Sequence, residues 1–261
     1  KVKKTAGYSP ACGNEWKPGI CQKPKIKCSA CKHQEFLPLS EMAVDAHLRG
    51  KQYLVAGIYP LLSDETCWFL TIDFDDDGWQ KDITTLREVC SLYEIPIAVE
   101  RSRSGNGAHA WFFFNQPVTA FLARKFGSAL LTHAMNKRHE INFKSYDRFF
   151  PNQDTMPKGG FGNLIALPLQ KTPRKDGNSI FINEQFQPID DQWAFLSSVR
   201  RLSEENLEKL ITKLCPENEL GPLKEDDEET HKPWEPIKKM EIGKNDFPGE
   251  TEIVKANMLF I

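Results

Sequence analysis

The chain lacks any long apolar run: the longest uninterrupted stretches, such as Ala110 to Phe114, reach about five residues, against the ~20 needed to cross a bilayer. A transmembrane helix is thereby excluded. It also lacks an excess of charge of either sign, since 34 Lys plus Arg against 36 Asp plus Glu leave a net charge of -2. That balance excludes a protein coating nucleic acid by bulk electrostatics, so any phosphate binding has to be local. The basic opening Lys1-Val2-Lys3-Lys4 leads into Gly-Tyr-Ser-Pro rather than an apolar segment. No secretory signal is expected, and the reading is of a cytoplasmic protein. What is present is ordinary for a soluble globular chain: 261 residues, 40% apolar, 11% aromatic and 27% charged. The length allows one large domain, or one domain with appendages, and speaks against a repeat array or a miniature scaffold.

Between residues 54 and 183, β-rich runs (54–59, 67–75, 97–101, 108–114, 163–169 and 179–182) alternate with helical ones. Ile83, Leu86, Val89, Cys90 and Tyr93 fall at helical spacing and predict a helix over 82–93, with a second over 118–135. An α/β or α+β core follows. Ser203 caps a further helix, with Glu204 and Glu205 in its first turn and Leu207, Leu210, Ile211 and Leu214 on one face; Pro216 ends it. The acidic, proline-punctuated stretch 222–236 reads as a solvated linker, and the tail 253–261 turns apolar again. A further domain is expected downstream. The expected division is a metal-binding knuckle over 1–40, a core over 41–215, and a linker with the start of that next domain over 216–261.

Four of the seven cysteines, Cys12, Cys21, Cys28 and Cys31, fall in a C-x8-C-x6-C-x2-C arrangement among Lys, Pro and Gly. Thiols stay reduced in the cytoplasm, and four thiolates suit tetrahedral zinc, so a structural Zn²⁺ is expected, with His33 as a substitute ligand. The competing reading is a set of unligated cysteines in a flexible arm. Cys67, Cys90 and Cys215 lie apart, within apolar segments.

In the run Cys67 to Asp75, strand alternation puts Thr71, Asp73 and Asp75 on one face and Leu70, Ile72 and Phe74 on the other. Two carboxylates pointing the same way repel unless a cation sits between them, and Mg²⁺ or Mn²⁺ is the natural occupant. The bland alternative is a solvated strand end, helped by Asp76 and Asp77. Asp73, Asp75, Asp77 and Gly78 imitate the opening of an EF-hand loop, but its twelfth position is Thr84 instead of Glu, and the flank is a strand. That reading fails.

Residues 100–111 run Glu-Arg-Ser-Arg-Ser-Gly-Asn-Gly-Ala-His-Ala-Trp, a Gly-rich turn between strands. Exposed backbone N–H groups, the Ser104 hydroxyl, Arg101, Arg103 and His109 make a cradle for a phosphate chain. A dinucleotide fingerprint is excluded because a strand follows, not a helix. Further on, Tyr146 to Asp154 offers Asp147 and Asp154 as candidates for a third carboxylate, before a Gly-rich segment over 158–171. Asp147 is preferred, because a strand with aromatic neighbours holds a ligand better than the turn beyond Pro151. Lys171, Arg174 and Lys175 form a small basic cluster that either touches a nucleic-acid backbone or is a solvated turn.

A D-x-D strand, an S-x-G-x-x-H turn and a later aspartate, in that order, resemble the three motifs of the archaeo-eukaryotic primase superfamily. The wording of 69–75, 100–109, 146–154 and 160–170 is similar to the primase-polymerase modules of TOTE conflict systems. The resemblance implies an α+β fold with an RRM-like mixed-sheet catalytic core and an N-terminal zinc-binding module. It also implies a fused helicase downstream and a nucleic-acid template, DNA above all. By the same resemblance Asp73, Asp75 and Asp147 would bind two divalent ions, while Ser104, Gly107 and His109, with Arg101 or Arg103, would hold the triphosphate of a dNTP or NTP. The implied activity is template-directed nucleotidyl transfer. Two other functions compete: a non-catalytic nucleic-acid-binding module serving the helicase, and a metal-dependent nuclease, for which the 104–109 cradle has no use.

Overall fold

In chain order the elements are β1 (Tyr8–Pro10), a 3-10 turn (Cys28–Ala30), α1 (Glu41–Arg49), β2 (Gly57–Ile58), β3 (Thr66–Asp75) and α2 (Trp79–Leu92). Then come β4 (Ala98–Arg101), β5 (Gly107–Thr119), α3 (Ala120–Lys137), β6 (Tyr146–Phe150), β7 (Ile165–Ala166) and α4 (Lys171–Arg174). The last are β8 (Ile180–Phe181), α5 (Gln192–Ser198), α6 (Glu204–Leu214) and β9 (Ala256–Met258). This computed structural model describes residues 8–51, 55–75, 77–137, 145–156, 161–216 and 256–258. Asp76, the residues 158–160, the acidic stretch 222–236 and most of the apolar tail lie outside the described residues.

Five strands form one sheet in the order β6-β3-β5-β4-β8. A mixed sheet was expected, but every ladder in this one is antiparallel. The reason is connectivity: β4 turns directly into β5 through residues 102–106, and β5 inserts between β3 and β4. Strands of like direction, β3 with β4 and β5 with β6 and β8, therefore never meet. Parallel pairing occurs instead in a smaller sheet, β1-β9-β2-β7, where β9 pairs β1 and β2.

The apolar alternation of β3 packs Leu70, Ile72 and Phe74 at 0% exposure. α2 contributes Trp79, Ile83, Leu86, Val89 and Cys90 to the same core, and α3 contributes Phe126, Leu130 and Leu131. A Cβ at Gly127 would stand 2.7 Å from Leu70 Cδ2, so the absence of a side chain there lets α3 lie close on the sheet. Leu207, Leu210, Ile211 and Leu214 are buried as the spacing predicted, behind a Ser203–Asn206 capping box. The boundaries read from the sequence shift: β2, β7 and β8 are only two residues long within the runs expected, and α3 covers 120–137. Val118 belongs to β5, which runs to Thr119; α2 begins at Trp79; and α1, capped by Ser40 and closed by left-handed Gly50, was not foreseen. All seven cysteines are unbridged. Among the described residues no helix is long and apolar enough to cross a membrane.

Candidate active site

The register of three neighbouring strands assembles the site. β3 and β5 pair Asp73 with His109 and Asp75 with Gly107, and β4 places Glu100 opposite His109. On the other side of β3, β6 pairs Tyr146 with Phe74, so the next residue, Asp147, arrives beside the two β3 carboxylates. One ligand oxygen from each of Asp73, Asp75 and Asp147 lies within 4.8 Å of the others. Among the described residues this is the group of metal-ligating side chains that gathers so closely. Asp73 is 8% exposed, and its Oδ1 is buried without a hydrogen bond although His109 Nε2 stands 3.3 Å away. A buried anionic oxygen that no well-formed hydrogen bond satisfies is the condition a cation relieves.

Asp154 is elsewhere: its Oδ1 accepts from Arg124 Nη1 on α3 at 2.6 Å. Asp147 Oδ2 accepts from Arg148 Nε at 2.6 Å. What sets β6 in place is a buried contact that sequence reasoning missed. Asp82, in the first turn of α2, accepts from Ser145 Oγ at 2.6 Å and from Ser145 N at 3.3 Å. The carbonyl of Ser145 in turn accepts from Asp75 N at 2.7 Å. Asp82 therefore clamps the start of β6 two residues before Asp147.

The turn over 102–106 is closed by Ser102 N donating to Gly107 O at 2.9 Å, with Gly105 in the left-handed region at φ 81°. Ser104 Oγ lies 3.0 Å from Ser102 Oγ and accepts from Asn106 N at 3.2 Å. At Gly107 a Cβ would sit 2.4 Å from Phe74 O and 2.7 Å from Asp75 Oδ1, so no other residue fits between the turn and the carboxylates. Arg103 is exposed. Arg101 is not: its guanidinium donates to Gly177 O at 3.0 Å and to Phe186 O, and is spent on tying two loops to β4.

His109 Nδ1 lies 2.9 Å from Oε2 of Glu100, a second residue to which sequence reasoning gave no role. Burial works against a charged ring, but Glu100 and Asp73 outweigh it and hold His109 well above the ordinary histidine range.

The four N-terminal cysteines line one small cavity, about 20 Å³, together with Lys23 and Glu15. Glu35 N donates to Cys12 Sγ and His33 N to Cys31 Sγ, each at 3.4 Å. Lys23 Nζ pairs with Glu15 Oε1 at 2.9 Å; burial pushes the Cys28 thiol up, and Lys23 opposes it. The side chain of His33 is exposed. In the basic cluster Arg174 Nη2 donates to Leu48 O, while Lys171 is exposed.

Residues 1–210 match the family model described as the archaeo-eukaryotic primase domain of TOTE conflict systems. A similar solved structure is the polymerase domain of ligase D from Mycobacterium tuberculosis in complex with DNA. Its identity is 14% over 59% of this chain and 54% of that chain, with a TM-score of 0.30. The match thus spans about half the length of that relative. No curated protein matches the chain.

Proposed function

Because the chain belongs to the archaeo-eukaryotic primase domain family of TOTE conflict systems, we propose that it is a template-directed nucleotidyltransferase, a primase-polymerase, acting on a nucleic-acid strand. The observation that carries this reading is the meeting of three carboxylates from β3 and β6 within 4.8 Å, next to the glycine turn that leads into β5. Asp73, Asp75 and Asp147 would hold two divalent ions, Mg²⁺ or Mn²⁺; the donor set is all hard oxygen, and the buried Asp73 Oδ1 has no hydrogen bond. Ions bound there would supply Lewis-acid stabilisation of the charge that develops as a 3′-oxygen displaces pyrophosphate from the α-phosphate.

The chain's own residues then divide the remaining work. The turn over 102–107, whose Ser102, Gly105 and Asn106 N–H groups are spent within it, offers the Ser104 hydroxyl to the triphosphate, with Arg103 the exposed cation at its tip. Gly107 keeps the space beside Asp75 free for backbone to approach the nucleotide. His109, held toward the charged form, faces the anionic centre from β5. The cysteine module would carry a structural Zn²⁺ on Cys12, Cys21, Cys28 and Cys31; their shared cavity and two N–H to Sγ contacts suit a thiolate site. A helicase fused downstream belongs to the same reading.

The test is incorporation. Purified protein, a primed template, labelled dNTPs or NTPs and Mg²⁺ or Mn²⁺ should yield extension, with de novo products tested on unprimed template. Strand binding without incorporation, under either ion and with either nucleotide class, would overturn the enzyme reading in favour of a binding module. Strand cleavage would overturn it in favour of a nuclease.

A further inference from the structure

Glu100 stands outside the carboxylate trio and is 2% exposed, and its carboxylate is enclosed by donors. Oε2 meets His109 Nδ1 at 2.9 Å and Trp111 Nε1 at 3.1 Å, while Oε1 accepts from Ser179 Oγ at 3.2 Å. His109 and Trp111 are two apart on β5 and so face the same side. An anion this deep persists only when it is well supplied with donors, and three of its roughly four acceptor sites are occupied.

The donor logic fixes the ring. An ionised carboxylate only accepts, and the Trp111 indole only donates, so the His109 nitrogen toward Glu100 must be Nδ1–H. Nε2 is thereby left as the nitrogen 3.3 Å from Asp73 Oδ1. Remove the Glu100 acceptor and nothing fixes the ring flip or holds a proton at Nδ1.

Behind Glu100 lies a second layer, drawn from Leu169, Gln170 and Ser179. Gln170 N donates to Ser179 Oγ at 3.3 Å, Leu169 N to Ser179 O at 2.6 Å, and Ser179 N to Arg101 O at 2.9 Å. Ser179 and Leu169 both adopt positive φ, 53° and 66°, which non-glycine residues rarely do. Such conformations persist where the surroundings over-determine them. Here the strained pair aims one hydroxyl at one carboxylate oxygen.

We propose that Glu100 is a positioning residue for the nucleotidyl transfer, fixing His109 with Nε2 toward the carboxylate trio, and that Leu169, Gln170 and Ser179 form its buttress. This rests on the nucleotidyltransferase reading for its kinetic consequence, but its structural half can be read without activity. The decisive variant is Glu100→Gln, which keeps the shape, removes the negative charge and leaves a single acceptor oxygen for the His109, Trp111 and Ser179 donors. Its kcat/KM for the incoming nucleotide should fall on the order of 10- to 100-fold, as for other partners that orient a site residue. In histidine-labelled protein, the long-range ¹H–¹⁵N pattern that disappears in His109→Gln should show protonated Nδ1 in the wild type and a changed pattern in Glu100→Gln.

Wild-type kinetics together with an unchanged imidazole pattern in Glu100→Gln would overturn the proposal. If Glu100→Gln does not fold, Ser179→Ala, which deletes one hydroxyl, is read by the same two measurements and should shift both in the same direction by a smaller amount; no shift in either overturns the proposal. If the wild type incorporates nothing, the nucleotidyltransferase reading fails. The imidazole pattern then still decides whether Glu100 sets the ring.

Discussion

Two regions of this chain are ordered by different forces. The five-stranded sheet and its helices bury Phe74, Phe112, Phe114, Phe126 and Phe181 completely, each side chain contributing roughly 1.5–3 kcal/mol over an exposed one. Between residues 10 and 37, Ala11 is the one buried apolar side chain among the described residues, while Trp16, Ile20, Ile26 and Leu37 are exposed. That stretch is shaped by turns, by the Lys23–Glu15 pair and by cysteines facing one cavity. The sheet region can stand on packing alone. The cysteine region has no comparable core, and a tetrahedral ion is the kind of staple that replaces one.

The largest effect that separates them is chemical. Asp73→Ala with Asp75→Ala should abolish incorporation and leave both regions folded, because Asp73 and Asp75 lie on the site-facing side of β3 while Leu70, Ile72 and Phe74 face the core. Removing two neighbouring anions also relieves repulsion. Extension near the wild-type rate by a folded double variant would remove the trio from the mechanism. Circular dichroism and a melting curve check the fold.

The next effect sharpens the sheet side. Asp147→Asn should lower incorporation by more than about 100-fold, since even partners outside the ligand set cost 10- to 100-fold. Asp154→Asn should stay within about threefold and cost at most ~1 kcal/mol, the upper range for an exposed ion pair, because its partner is Arg124 and both side chains are about a third exposed. The reverse order in a primer-extension assay would move the third ligand to Asp154.

How much of this was legible in the sequence follows from range. Asp73, Asp75 and His109 were legible because strand alternation is local, and a carboxylate on an apolar strand announces itself within a few residues. Asp147 was legible only as a preference. Its placement depends on Asp82 and Ser145, 63 residues apart, and nothing local links them. Glu100 was invisible for a similar reason: beside Arg101 and Arg103 it reads as the start of a polar turn, and its burial is decided by β5 and the loop before β8. Helix α1 escaped because its one buried side chain is His47, which gives no apolar stripe to count. The antiparallel sheet depended on where β5 inserts, a property of chain path that composition does not carry.

The smallest effect on the sheet is the one that tests the comparison most directly. Zinc removal should change the N-terminal region and spare the rest. Protein prepared without chelator should contain one zinc per chain, and a strong chelator should release it while moving the melting temperature of the core by no more than about 2 °C, well under the ~4 °C that 1 kcal/mol would give even in a 150-residue domain. The thiols supply an independent readout. Burial pushes Cys67 up to about 12 and raises Cys90 and Cys215 as well, so at pH 8 less than about one in a thousand Cys67 side chains is a reactive thiolate. These three should resist alkylation whether or not zinc is bound. Cys12, Cys21, Cys28 and Cys31 are all partly exposed and should be protected by the ion and labelled once it is gone. Four newly labelled cysteines by mass spectrometry, with 67, 90 and 215 unlabelled, would mark the boundary between a region held by metal and one held by packing. Labelling of all four before chelation, with no zinc by elemental analysis, would show that the cysteine region needs no ion, and that its few turns and one half-buried ion pair suffice to order it.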